Sequence, residues 1–343
     1  MALIEKYLGN KINSDGTNLL DITNKCNKGI GTINKIQTIL ETKFFGKYYF
    51  EVGKTMIDSM LLGSLLTNIE VAYNLTKIEV EKLQKCHEMG LRKLLSLPSK
   101  TPVKMLYLLT GSVPKKFVVP RRRLVYLHHI LNQEENSLLG TFFEHQHQTR
   151  KPKDWATQVI KDMEKFEITL TLDEIRKMPE ASWKSLVKGK STENALKYLN
   201  SNQGSKSQKR NSLKMAPYLT SDNNEFSLKT SCFIAKIQTH MIENIKCNFK
   251  EHYKPNLVCN SCNLNECNQK HLLECSKLIG SNEFPTYIPD YIDIFDNDNI
   301  QEQMYISRLM IDSLKKNKAL AGQTMAWNYI GHIGCIGCIG CIG

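Results

Sequence analysis

Between Val258 and Cys275 the chain reads VCNSCNLNECNQKHLLEC, which places four cysteines and a histidine within eighteen residues. Zinc takes four thiolate or imidazole donors in a tetrahedron. Cys259-x2-Cys262 is the tight turn that aims two sulfurs at one ion. His271-x3-Cys275 sets two further donors on one face of a helical turn, because residues four apart lie above one another. The preferred ligand set is Cys259, Cys262, His271 and Cys275, with structural Zn as the cofactor. Such a set leaves no position open to water, so it organises a fold and does not catalyse. Cys267 competes for a place in it, since Cys262-x4-Cys267 also has knuckle spacing and would replace His271.

Other constellations are incomplete. Tyr291-Ile292-Asp293 invites comparison with the Tyr-x-Asp-Asp metal site of polymerases, where adjacent carboxylates help hold two magnesium ions. Position 294 is Ile, however, so the second carboxylate is missing and the segment reads as an acidic, exposed helix entry. The closing GHIGCIGCIGCIG repeats with period three. Its Cys335, Cys338 and Cys341 have the spacing of three cluster ligands but lack the fourth cysteine and the proline, so a disordered tail is expected there. No Walker-type phosphate loop and no G-x-S-x-G elbow occurs, and no catalytic residue is expected.

The remaining signal is electrostatic. No acidic residue stands between Glu88 and Glu134, whereas Arg92, Lys93, Lys100, Lys104, Lys115, Lys116, Arg121, Arg122 and Arg123 all do. A phosphate backbone meeting such a surface releases its counterions, which gives affinity without sequence preference. Lys115, Lys116, Arg121, Arg122 and Arg123 are the expected nucleic-acid contacts, with RNA or DNA as partner. A solvated basic face is the competing reading. Three adjacent arginines also point in different directions, so one or two are expected to pack inward. His128 and His129 are expected on the helix surface.

These groups need elements to position them. Thr76 with Glu79 forms a capping box, Ile78, Val80, Leu83, Leu91, Leu94 and Leu95 follow at helical period, and Pro98 stops the run. Thr101-Pro102 is read as the next helix start and Gly111 as its C-cap. Pro120, Ser137 and the Thr171/Glu174 pair mark further starts. NSNQGSKSQKRN, residues 200–211, contains no apolar side chain and reads as a linker. Phe233, Ile234, Ile237, Met241 and Ile245 then stripe an amphipathic helix leading to the cysteines, and an acidic segment and a short helix ending near Lys318 follow. The expected fold class is mainly α.

The 343 residues carry a net charge of +12, which favours an acidic partner, and no apolar run is long enough to span a bilayer. Glu5 and Lys6 interrupt the N-terminus before a signal core forms. A nuclear or cytoplasmic location is therefore expected, not secretion, with the cysteines as thiols or ligands.

Several strings together form a resemblance. EKYLGNKINSDG looks like the Tyr-Leu-Gly hairpin that follows the palm in reverse transcriptases of non-LTR (LINE-type) retrotransposons. The long stretch from FFGKYYFEVGKTMIDSMLLG to VVPRRRLVYLHHILNQ resembles the helical thumb and connector that come next. A Cys-x2-Cys, spacer, His and Cys knuckle near the C-terminus is also similar to that family. The resemblance runs from about Tyr7 to Lys318 and implies a C-terminal part without the catalytic palm, inactive as a polymerase by itself. It implies that Tyr7, Leu8 and Gly9 help hold a primer end. The implied organisation is a post-palm hairpin remnant (1–19), a thumb-like helical region (20–98), a connector with a basic face (99–200), a linker (201–225), a helix with the knuckle (226–280), an acidic segment with a helix (281–322) and the tail (323–343). The alternative is a cellular helical scaffold whose zinc module binds another protein.

Overall fold

A computed structural model of the chain describes residues 4–7, 10–13, 18–43, 45–72, 75–134, 137–201, 211–220 and 227–239, together with Cys262, His271, Cys275, Tyr305, Ile306, Leu309, Met310, Asp312 and Ser313. Leu8, Gly9, Met241, Ile245, Cys259, Cys267, Asp293, the acidic segment 283–302, residues 202–210 and 221–225 of the expected linker and the cysteine repeat lie outside the described residues. The chain divides into two compact units, residues 1–205 with 209–221 and residues 206–208 with 222–343. Residues 20–98 and 99–200 both fall in the first.

The described residues are mainly helical. In the first unit a two-stranded antiparallel hairpin, β1 (Ile4–Tyr7) with β2 (Asn10–Asn13), precedes α1 (Leu19–Thr42). The register runs from Ile4 opposite Asn13 to Tyr7 opposite Asn10. After α2 (Tyr49–Met56) the helix widens to one π segment, Ile57–Leu61, and finishes as α3 (Leu62–Leu65). Then come α4 (Lys77–Leu94), α5 (Val103–Thr110), α6 (Lys115–Leu131), α7 (Leu138–Thr149), α8 (Trp155–Lys165), α9 (Leu172–Lys177) and α10 (Glu180–Asn200). No described helix is long and apolar enough to cross a membrane.

Helices α1 and α4 run parallel. Lys82 Nζ meets Thr23 Oγ1 at 3.4 Å, the Cys86 thiol approaches the Cys26 carbonyl at 3.7 Å, and Lys93 Nζ bonds Asn34 and Gln37 at 3.0 and 2.8 Å, so contacts advance along both helices together. Gly29 permits that approach: a Cβ there would stand 2.9 Å from both the Cys86 sulfur and a Leu65 methyl.

Helix α6 is the hub of the second half of this unit, in contact with α4, α7, α8, α9 and α10. Leu124, Leu127, Val159, Phe166, Ile175, Trp183 and Val187 are wholly buried there. The Trp183 indole N–H donates to the Leu124 carbonyl at 2.8 Å, and Ser191 Oγ donates to the Phe117 carbonyl at 3.0 Å, so α10 is fastened to the α6 backbone by buried hydrogen bonds.

The start signals hold where they are local. Thr76 and Glu79, and Thr171 and Glu174, form complete capping boxes, and Ser137 accepts from the Gly140 amide. Gly111 ends α5 at φ +62°, in the left-handed region that suits glycine. Two starts differ from expectation. Helix α5 begins at Val103 with Pro102 as its cap, because the Thr101 hydroxyl instead donates to the Pro98 carbonyl at 2.7 Å. Pro120 starts nothing, for α6 runs through it from Lys115. A proline leaves the carbonyl four residues back without its amide. That carbonyl, on Lys116, accepts from Lys165 Nζ at 2.9 Å.

In the second unit α11 (Leu228–Gln238) is capped by Ser227 and buries Cys232, Ile234, Ala235 and Ile237. Ile306 and Met310, four residues apart, are buried as well.

Candidate metal centre

Cys262, His271 and Cys275 come together, their donor atoms all within 4.8 Å of one another. The Cys275 amide donates to the His271 carbonyl at 2.8 Å, the four-residue bond of a helical turn, and this is what stacks imidazole above thiol. Across the cluster, Cys262 Sγ lies 3.2 Å from His271 Nε2. A tetrahedral zinc with ordinary bond lengths holds its donor atoms roughly 3.5–3.8 Å apart; the Cys262–His271 pair is slightly closer than that and no pair of the three exceeds 4.8 Å. Cys275 is buried and the other two are half-buried. The group could hold a metal, with three donors of the types that zinc takes. Two of the three sulfurs and nitrogens come from residues four apart, and the third from nine residues earlier. The preferred fourth ligand Cys259 and Cys267, the alternative to His271, both fall outside the described residues.

The five basic residues expected to meet nucleic acid are placed very differently from one another. Arg123, 3% exposed, binds Asp162 at 2.6 Å inside the protein. Burial lowers the guanidinium's affinity for its proton and raises the Asp162 carboxyl, each opposed by the partner's charge. Lys115, 2% exposed, has among the described residues only a long bond to the Val113 carbonyl, 3.4 Å, and its burial brings its pKa down to about 7. Arg122 donates to the Leu66 carbonyl at 2.8 Å and pairs with Glu70 at 3.6 Å. Arg121 is half-buried. Lys116 lies over the Tyr198 ring, 2.9 Å from its centroid. The expectation of one or two inward arginines therefore fits Arg123. The arginine triplet stands in the middle of α6, not at its start, and the cations in the first turn are Lys115 and Lys116.

Further positive charges of this stretch are also engaged within the fold. Arg92 pairs with Glu88 at 3.4 Å and donates to the Thr101 carbonyl, and Lys93 bonds the amides on α1. His128, expected on the surface, is buried with Nε2 2.8 Å from the Met178 carbonyl, while His129 is exposed. Near Lys115, His87 is wholly buried beside Tyr107, with Nδ1 3.3 Å from the phenol oxygen. Burial first, then the charges of Lys115 and Lys54, hold its pKa well below the ordinary value, so this imidazole is neutral.

Sequence reasoning missed Lys165 and Tyr198, which join Lys116 from α8 and α10. Nothing in their local sequence marks them, because the grouping is made by the packing of three helices. Comparison with protein-family models, with curated proteins and with solved structures finds no match to this chain.

Proposed function

We propose that the chain is a nucleic-acid-binding C-terminal part of a non-LTR retrotransposon reverse transcriptase, with a structural zinc knuckle formed by Cys259, Cys262, His271 and Cys275. The observation that carries the reading is the gathering of Cys262, His271 and Cys275 within 4.8 Å. Their geometry supports a metal-organised knuckle, and the net charge of +12 supports an anionic partner. The Tyr7–Asn10 pairing supports the hairpin implied by the resemblance. The reading assigns binding and no polymerase chemistry: the strings that carry the resemblance match the hairpin, thumb, connector and knuckle of that family, not its catalytic palm.

Titration of purified protein against single-stranded RNA in a filter-binding assay at 50 and 200 mM salt tests the reading. Binding that weakens steeply with salt is the expected result. No binding at micromolar protein, or binding indifferent to salt, contradicts it.

A second reading, a scaffold that binds another protein, is favoured by α7. There Leu138 is 86% exposed, and Leu139 and Phe142 are exposed beside it. A partner retained from nuclease-treated extract by the native protein, and lost with Leu138→Asp and Phe142→Asp together, is the outcome that reading requires.

A further inference from the structure

Three lysines from three helices converge on two aromatic rings. Lys104 of α5 and Lys116 of α6 share Tyr198, their ammonium nitrogens 4.8 and 2.9 Å from its centroid. Lys116 and Lys165 of α8 each stand 5.2 Å from the centroid of Phe117. The rings attract the cations through their negative faces and so hold together charges that repel one another. Among the described residues none of the three has a carboxylate within ion-pair distance; Asp162, the acid that acts on Lys165, is bound to Arg123 at 2.6 Å. Lys104 donates to the Ser201 carbonyl and Lys165 to that of Lys116, which leaves ammonium protons on each for another acceptor. Lys165 is exposed, and Lys104 and Lys116 are partly so.

A cluster of this kind is costly without an anion. Burial lowers the Lys116 pKa to about 8, with Lys165, Lys104 and Lys77 adding to the effect. An incoming phosphate offsets that repulsion and finds donors already held in place.

We propose that Lys104, Lys116 and Lys165 form a phosphate-binding site that takes the phosphodiester backbone of a single nucleic-acid strand. The assignment rests on the nucleic-acid-binding reading above and gives it a location. It differs from the sequence expectation, sharing only Lys116 with the five residues first named. The ammonium groups act as point charges on the backbone, so the site confers affinity without base selectivity.

The probe is a fluorescein-labelled oligo-dT of twenty nucleotides, titrated with the full chain at several salt concentrations. Replacing Lys104→Gln and Lys116→Gln together keeps the Lys165 bond to the α6 backbone, so the hydrogen bond that supports Pro120 survives. The expected result is affinity at least about tenfold weaker and a log–log salt slope smaller by ~1.4, since each lost phosphate contact on a single strand contributes ~0.7. Lys116→Arg alone, which keeps charge and ring contact, retains most of the binding. A footprint on the unmodified protein avoids any folding defect: saturating oligo-dT slows acetylation of Lys104, Lys116 and Lys165 severalfold while leaving exposed Lys153 and Lys188 unchanged. If the strand binds but the double variant and the three acetylation rates do not change, the site is wrong and the general reading survives. If the strand does not bind the native protein at all, both fall.

Discussion

The basic stretch of α4 to α6 and the Cys-His-Cys group of the second unit were the two features in which the sequence concentrated chemistry, and they behave differently. In the first, the run of positive charge without a compensating acid suggested a continuous surface, yet Arg92, Lys93, Arg122 and Arg123 bond to α4, α1, the α3 end and α8. In the second, the three described donors of the expected set, Cys262, His271 and Cys275, lie together. The difference lies in what each pattern specifies. A four-residue interval fixes a geometry within one turn of helix, whatever the rest of the chain does. A count of charges in a segment says nothing about which of them another helix, tens of residues away, will cover.

The largest test of that contrast is to remove a buried cation. Arg123→Ala leaves Asp162 unpaired in the interior and is expected to cost about 3–5 kcal/mol in urea denaturation, whereas Arg123→Met with Asp162→Leu recovers most of the loss. A change near zero for Arg123→Ala would mean that the pair is solvated and that the basic stretch is a surface after all.

Lys115→Met sharpens the same point with opposite sign. Replacing a wholly buried ammonium by a side chain of similar length is expected to stabilise the protein by about 1–4 kcal/mol at pH 6. The pH dependence follows from the lowered pKa. Below about 7 the folded chain keeps the buried charge and the penalty is complete. Between about 7 and the ordinary lysine value of 10.5 the folded chain has lost the proton while the unfolded chain retains it, so stability rises with pH. Denaturation curves at pH 6, 7.5 and 9 should show this rise in the native protein and a flatter profile in Lys115→Met. Equal slopes would place Lys115 in water.

The smallest expected effect belongs to a locally encoded feature. Thr76→Ala removes the hydroxyl that accepts from the Glu79 amide and should lower stability by about 1 kcal/mol, read as a shift of the urea midpoint without a change in slope.

The same distinction separates what was legible from what was not. The Thr76 and Thr171 capping boxes, the Ser137 cap and the left-handed Gly111 follow from residues within a few positions of one another, and each stands as its sequence implies. The passage of α6 through Pro120 was hidden. Its missing amide is compensated at the Lys116 carbonyl by an amine 49 positions away, and no window of the sequence contains both partners. His128 was hidden for a similar reason, since its partner is the Met178 carbonyl, 50 residues on. The lysine cluster around Tyr198 needed α5, α6, α8 and α10 to be packed before it existed. In the candidate metal centre, by contrast, the His271–Cys275 turn could be read directly, and only the approach of Cys262 required the fold.

The central claim is that the Cys-His-Cys group holds a structural metal, and zinc content measures it most directly. Purified protein should contain about one zinc per chain, and Cys262→Ser and His271→Ala should each lose most of it, while Cys26→Ser in the first unit retains it. Zinc retained at the native level by both ligand variants, or absent from the native protein after expression and purification with zinc present, would contradict the account.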